Sequence, residues 1–442
     1  MSQDRRTFLG AAAGAGAALL LADDAWAQTS SSIVPLKKKP GEKVRFACIG
    51  VGGKGDSDTA DAANLGELRW LSAISMRTRW SGASKRYPNA KAYTDWRKLL
   101  AEMGDVIDAV TVSVPDHNHA IISLRAMRMG KHVFCQKPLT HNLFEARRMA
   151  ETARKMRVAT QMGNQGTADS NLRKNAARLR AGLLGDVTEL HIWTDRPIWA
   201  QGGERAASQP VPANVHWDTW LGPAPERPFA PGYHGFSWRG WWDFGTGALG
   251  DMGCHTLNMP FMRPGSTQPR ARACFYQWAQ PRYFPKSSTV IYDFAAYGKR
   301  APLTLHWYDG GRKPNASLFD GRQLAVSGAL LLGTKGKLYI PGDYAGDEGV
   351  LIGGVEIGDV KYPESPGHFQ EFVRAATEGV PAMSNFPDYA GPLAEMVLLG
   401  NLAVWLDGPA IEWDAERLRA VGMKELDPMI RGTYRKGWSL PS

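Results

Sequence analysis

The sequence predicts an α/β domain on a doubly wound, parallel sheet, followed by an α+β domain with an antiparallel sheet. Three observations lead there. Between residues 44 and 162, apolar strand-like runs alternate with amphipathic helical stretches. The first run, Val44–Ile49, leads straight into Gly50-Val51-Gly52-Gly53-Lys54-Gly55. After about residue 165, strand candidates follow one another with few helices between them.

Residues 1–27 precede this fold and have the anatomy of an export signal. Asp4-Arg5-Arg6-Thr7-Phe8-Leu9 is a twin-arginine motif. The Ala/Gly/Leu run from Ala11 to Ala22 is too short to span a bilayer. Ala25-Trp26-Ala27 offers small residues around a cleavage point; an uncleaved N-terminal anchor is the alternative. Residues 28–42 read as a Ser- and Lys-rich linker, 43–164 as the first domain and 165–442 as the second. The expected location is the periplasm or the medium, with no membrane span in the mature form.

The formal charge of +10 comes from scattered Lys and Arg rather than a basic run. That favours solubility and anionic ligands, and no nucleic-acid partner is expected. Cys48, Cys135, Cys254 and Cys274 have no C-x-x-C spacing and read as reduced core residues.

The strand-like runs are Val44–Ile49, Leu68–Ala73, Ala109–Val114, His132–Cys135 and Ala159–Met162, with helical patterns at His119–Met129 and Leu143–Lys155. In such sheets, ligands bind at the carboxyl ends of strands. Gly50 permits a tight turn there, Gly52 lets backbone approach a pyrophosphate and Gly55 lets the following helix pack closely; Gly53 lies in the same loop. Polar clusters sit at the other strand ends: Pro115-Asp116-His117-Asn118-His119, Gln136-Lys137-Pro138 and Gly163-Asn164-Gln165. Pro115, His117, His119, Gln136, Lys137 and Asn164 are therefore expected at the dinucleotide. Asp116, His117 and His119 could pass for metal ligands, but a strand-end Pro-Asp reads better as a turn and helix N-cap. No metal is expected.

Beyond residue 165, a helix over Ser170–Ala181 leads into strand-like Thr188–Thr194. A loop-rich aromatic region runs from Pro197 to Phe244, and a helix covers Ala248–Met262. Strand candidates follow at Ala271–Trp278, Ser288–Phe294, Pro302–Tyr308, Leu330–Gly333 and Lys337–Ile340, with helices near His368–Thr377 and Tyr389–Trp405. Aromatic faces with a few polar groups suit a sugar ring; a loop packed by its own aromatics is the alternative. The residues expected to meet substrate are Trp193, Arg239, Trp241, Trp242, Asp243 and His255.

Lys137 precedes Pro138 at a strand end, where it can reach both nicotinamide and substrate, or merely cap a turn. Asp251 and His255 are four apart and share a helix face, so the carboxylate can fix the imidazole tautomer; an incidental pair on a solvated face is the alternative.

Together these motifs resemble the Gfo/Idh/MocA family (glucose–fructose oxidoreductase, inositol dehydrogenase and rhizopine catabolism proteins) over about residues 43–405. The resemblance rests on Gly50-x-Gly52-x-x-Gly55, Pro115-Asp-His-Asn-His119, Gln136-Lys137-Pro138 and Asp251-x-x-x-His255 in that order. It implies a Rossmann domain, an α+β domain with an open, mostly antiparallel sheet, and NAD or NADP. It also implies a sugar or polyol substrate and the catalytic set Lys137, Asp251 and His255. The signal and the long aromatic insertion look like an exported subgroup. The family commonly has Glu-Lys-Pro where this chain has Gln136. It often carries an acidic residue for the adenosine ribose where this chain reads Leu71 to Arg77 without a carboxylate. Ser75, Arg77 and Arg79 suit a 2′-phosphate and hence NADP; weakened cofactor binding is the alternative.

The leading expectation is an exported sugar oxidoreductase and homo-oligomer whose tightly held cofactor is regenerated within the site. His255 would act as general base, oriented by Asp251, with Lys137 on the alkoxide. A glycoside hydrolase or lyase working by transient ring oxidation is the second expectation. A non-catalytic sugar-binding protein is the third. Replacing Arg5 and Arg6 with Lys is expected to abolish export, read by fractionating cells; undiminished periplasmic protein refutes the twin-arginine assignment.

Overall fold

A computed structural model describes residues 32–72, 77–262, 269–275, 282–298 and 300–441; the side chains of 77–81, 269–270 and 272–275 lie outside that description. The expected signal and Ser75 fall outside the described residues, and so does the Arg77 side chain.

The first domain is a Rossmann fold. Strands β1 (Arg45–Ile49), β2 (Glu67–Ser72), β3 (Lys91–Tyr93), β4 (Ala109–Val112), β5 (His132–Cys135) and β6 (Thr160–Met162) form one sheet in the order β3-β2-β1-β4-β5-β6. Every neighbouring pair in it is parallel. Helices α1 (Lys54–Leu65), α2 (Arg77–Arg86), α3 (Trp96–Met103), α4 (His119–Arg128) and α5 (Leu143–Met156) connect the strands. The strands are short, apolar and buried, as a sheet covered on both faces requires. The order reverses between β1 and β4, which opens a crevice beyond their carboxyl ends. β3 is the strand the sequence pattern missed; three residues are too few to show a period.

The glycines behave as their positions require. Gly50 has φ +87°, and a Cβ there would stand 2.2 Å from the Ser113 carbonyl oxygen. A Cβ on Gly55 would stand 1.9 Å from the Gly50 carbonyl oxygen, so α1 starts tight against the loop.

The second domain follows α6 (Ser170–Arg180). Its nine-stranded sheet contains β7 (Val187–Trp193), β8 (Pro269–Phe275), β9 (Ser288–Phe294), β10 (Leu303–Tyr308), β11 (Gly328–Gly333), β12 (Gly336–Pro341), β13 (Val350–Gly353), β14 (Ile411–Asp414) and β15 (Arg419–Ala420). The order is β13-β12-β11-β7-β10-β9-β8-β14-β15, antiparallel except for β7 beside β10. The helix expected over 248–262 is α7 (Gly247–Thr256) plus a short turn at Asn258–Phe261. Helices α8 (His368–Glu378) and α9 (Gly391–Leu406) follow.

The span Phe386–Leu406 is long and apolar enough to cross a membrane, yet 78% of its apolar window is buried inside the protein. Leu393, Val397, Leu399 and Leu402 of α9 share one core with Leu249 and Met252 of α7 and Tyr292 of β9. Cys48, Cys135 and Cys254 are free and buried, as expected; the Cys274 side chain lies outside the described residues.

α8 crosses back to the first domain. Phe369 and Phe372 pack on Phe46 of β1 and Phe134 of β5. Glu371 on the same helix accepts a 2.6 Å hydrogen bond from Arg173 of α6, and both side chains are almost fully buried. The Arg173 guanidinium also donates to the carbonyls of Thr167 and Pro363, so its charge is fully engaged. Removing one partner of such a pair leaves a buried, uncompensated charge. Glu371→Ala is expected to cost about 3–5 kcal/mol, measured by denaturant unfolding. A loss below about 1 kcal/mol would show that the pair contributes only as a surface ion pair does.

Candidate active site

The crevice between β1 and β4 is lined by Gly50, Val51, Gly52, Gly53 and Lys54 on one side. Ser113, Val114, Pro115 and Asp116 after β4, and Gln136 and Lys137 after β5, form its floor. The aromatic region closes it with Trp220, His234, Gly235, Phe236, Trp238 and Arg239. The space is ≈ 1130 Å³, part of it open to solvent.

This cleft fits a dinucleotide. Gly50 occupies a place no Cβ could share, and α1 begins at Gly53 (φ +60°) without a side-chain cap. The helix start is therefore open to an anion. Gly50, Gly52, Gly53, Lys54, Pro115 and Gln136 are the residues placed to hold it. A supporting carboxylate was not foreseen. Asp58, buried on α1, accepts from Lys54 (2.7 Å), Ser113 (2.6 Å) and Gln136 (2.9 Å), tying the glycine-loop helix to the ends of β4 and β5. The Lys54–Asp58 spacing on one helix face was the available sequence signal.

Beside the glycine loop is a charged cluster. Lys137 Nζ donates to the Asp251 carboxylate at 3.0 Å and to the Asp251 carbonyl at 2.8 Å. Arg239 Nε donates to the same carboxylate oxygen at 3.2 Å. The guanidinium lies 4.3 Å from the Trp238 ring centre and 4.6 Å from that of Phe236. Burial raises the pKa of Asp251, but Lys137 and Arg239 outweigh it and hold the group at about 2. Burial lowers that of Lys137, but Asp251 raises it beyond the ordinary lysine value, so the ammonium stays charged.

His255 lies one turn further along α7 and is 2% exposed. Burial and then the Lys137 charge push its pKa well below the ordinary histidine range, so the ring is neutral at neutral pH. Among the described residues its Nδ1 has no hydrogen-bond partner, and its ring meets Tyr344 edge-on at 4.7 Å. The expected pairing of Asp251 with His255 is not made. Asp251 grips Lys137 and Arg239 instead and reaches His255 only through its field. Tyr344 was not foreseen, since it comes from a loop far along the chain.

Several expected site residues serve the scaffold. The His117 ring nitrogens lie 2.8 Å and 3.1 Å from the Trp220 and Phe244 carbonyls. Those of His119 lie 2.7 Å and 2.8 Å from the Pro138 and Val114 carbonyls. Burial takes their pKa values to about 3 and about 4, so each ring is neutral and donates its single N–H to one of its two carbonyls. Asn164 is fully buried between Cys254 and Ser384. Trp193 is fully buried against Phe319 and Tyr339. Trp241 packs on Tyr283 and Tyr233, and Trp242 on Phe284 and Trp405. Asp243 pairs with Arg227. Trp242 and Asp243 line a separate cavity behind the cleft, with His141 and Tyr434. Of the substrate-facing set, the cluster retains Arg239 and His255.

Residues 44–164 match the model of an oxidoreductase family, NAD-binding Rossmann fold. Residues 179–262 match the C-terminal alpha/beta domain of the same family. A myo-inositol 2-dehydrogenase of Thermotoga maritima is 31% identical over 153 residues, 34% of this chain and 45% of that protein. A glycosyl hydrolase family 109 protein of Shewanella baltica is 31% identical over 170 residues, 34% of this chain and 36% of that protein. The chain thus matches less than half the length of these curated relatives. The WlbA dehydrogenase of Chromobacterium violaceum, solved with NADH and UDP-GlcNAcA, superposes with a TM-score of 0.64 at 16% identity, covering 87% of this chain and 99% of that one. At that identity the likeness concerns the fold.

Asp116 gives this cluster a pH signature. It is buried, and its carboxylate accepts a 2.8 Å hydrogen bond from Thr246. Burial outweighs that bond and the nearby Arg239 and raises its pKa from 3.8 to about 7. A folded-state pKa above the unfolded one contributes stability below pH 3.8, and that contribution is lost as pH rises through about 7. Asp116→Asn, which keeps an acceptor for Thr246, is expected to remove this slope. Thermal melts of both proteins across that range test it; parallel profiles would refute the raised pKa.

Proposed function

We propose, for a chain that belongs to the Gfo/Idh/MocA oxidoreductase family, that it oxidises a hydroxyl of a sugar, polyol or sugar derivative. It does so with NAD or NADP tightly held in the glycine-loop cleft. The observation that carries this reading is the pairing of a fixed ammonium, Lys137, with a neutral, unpartnered imidazole nitrogen on buried His255. Bound nicotinamide supplies a hydride acceptor for the carbinol carbon.

The chain's own residues do the rest. A lysine ammonium has three donors, and Asp251 occupies two of those of Lys137. The third is left for the substrate oxygen, where it stabilises the developing alkoxide. His255 Nδ1 takes the hydroxyl proton. Asp251 sets the position of Lys137 and, through its field, opposes the fall in the His255 pKa. Arg239, with Phe236 and Trp238, covers the cleft mouth and limits water. Export through the twin-arginine signal is part of this proposal. It calls for a cofactor reoxidised in the same site.

The family 109 relative motivates a second reading, a glycosidase. The same residues would oxidise a ring hydroxyl, eliminate the aglycone, let water add, and have the hydride returned. The net change would then be hydrolysis without redox.

Single-turnover absorbance of the bound nicotinamide, with a panel of sugars and glycosides, distinguishes the two. His255→Ala and Lys137→Ala are expected to slow reduction by about 10²–10⁴-fold. Asp251→Asn is expected to cost less, because the Asp251 carbonyl still holds Lys137. Wild-type rates in the two alanine variants would refute the assignment. Released aglycone with the cofactor ending oxidised would favour the glycosidase.

A further inference from the structure

β7 and β10 are the parallel neighbours within the otherwise antiparallel sheet, and His191 and His306 stand directly opposite each other in their register. Glu189, two residues before His191, lies on the same face of β7. The inward residues on these strands, Leu190, Ile192, Leu305 and Trp307, enter the core shared with α7 and α9. Glu189, His191 and His306 therefore occupy the opposite face of the sheet from the catalytic helix.

We propose that Glu189, His191 and His306 bind a divalent transition metal, with zinc the best match. One carboxylate oxygen of Glu189 lies 3.0 Å from His191 Nε2 and 3.2 Å from His306 Nε2. Zinc bonds of about 2.0–2.1 Å in tetrahedral array place neighbouring ligand atoms roughly 3.3 Å apart. The three ligand atoms all lie within 4.8 Å of one another. The two rings are stacked 4.8 Å apart, the spacing that adjacent strands impose, and their Nε2 edges meet at the same oxygen.

An independent feature points to a ligand. His191 is 4% exposed, yet among the described residues its Nε2 has no hydrogen-bond partner, although a Glu189 carboxylate oxygen lies 3.0 Å away. On the far side of that ring, Nδ1 lies 3.1 Å from the Tyr308 hydroxyl. An Nδ1–H donated there fixes the tautomer that leaves Nε2 as a lone pair, the arrangement seen around metal-bound imidazoles. Glu189 is 39% exposed and His306 20%, which gives a metal an entry path. Two imidazoles and one carboxylate make a zinc set with a further position for water.

The test uses the full chain, stripped with a chelator. Zinc is titrated by calorimetry, and cobalt(II) serves as an optical stand-in. One zinc per chain is expected, with four-coordinate cobalt bands that zinc abolishes. His306→Ala and Glu189→Gln, both at partly exposed positions, are each expected to lose about tenfold or more in affinity, and Tyr308→Phe about tenfold. X-ray absorption of the wild-type zinc form, which needs no variant, is expected to count two imidazoles. Nucleotide content and hydride transfer are expected to be unchanged in His306→Ala. No saturable binding near one per chain, a zinc shell without two imidazoles, or wild-type affinity in either folded ligand variant would overturn the site.

Discussion

The Asp251 carboxylate is the point on which the site depends. Placing one ion out of water costs several kcal/mol, so a buried carboxylate needs fixed partners. Its partners come from separated parts of the chain: Lys137 from the end of β5, and Arg239 from the aromatic region before α7. One carboxylate thus ties the end of β5 and the closing segment to α7. The chemistry of the neighbours follows. Lys137 is held charged, His255 is held neutral by burial and by Lys137, and Asp116 has its pKa raised by burial.

The aromatic region answers a packing problem before a chemical one. Residues 194–246 contain little regular structure, so their backbone must be fixed by side chains. Trp220, Tyr233, Trp238, Trp241 and Phe244 form a small core of their own with Tyr283. That core is fastened to the end of β4 by the His117 ring between the Trp220 and Phe244 carbonyls. Only once it is rigid can Phe236, Trp238 and Arg239 stand at the mouth of the cleft. His117 therefore helps to hold the segment that closes the cleft.

Much of this was legible because it is local. The run into Gly50, the β-α-β rhythm and the Asp251–His255 spacing each lie within a short window, and the structure places Lys137, Asp251 and His255 together. What was not legible depends on contacts between distant segments. Composition cannot say whether a tryptophan faces a ligand or a core, so Trp193, Trp241 and Trp242 were misread. Periodicity cannot say which group a carboxylate meets, so Asp251 was paired with its helix neighbour rather than with Lys137. The partners of Asp58, Ser113 and Gln136, are brought to it only by the ends of β4 and β5.

The two proposed reactions share their first step and part at a second proton. Oxidation of a hydroxyl needs one acceptor, and in the proposed reaction the neutral His255 Nδ1 is that acceptor. Elimination after oxidation removes another proton, from the carbon beside the new carbonyl, and a positive Lys137 on that carbonyl oxygen acidifies it. Something must receive that proton while His255 still carries the first, or His255 must discharge between the two. Discharge needs a route to solvent. The buried ring meets Tyr344, itself 44% exposed, so that edge of the ring adjoins a side chain that reaches water. A site in which Tyr344 admits water beside His255 can run both proton transfers through one imidazole. If the bound substrate seals that side, the imidazole can accept only one proton, and the reaction stops at oxidation. How the substrate packs against Tyr344 then bears on the second proton, while the charged cluster serves the first step of both reactions.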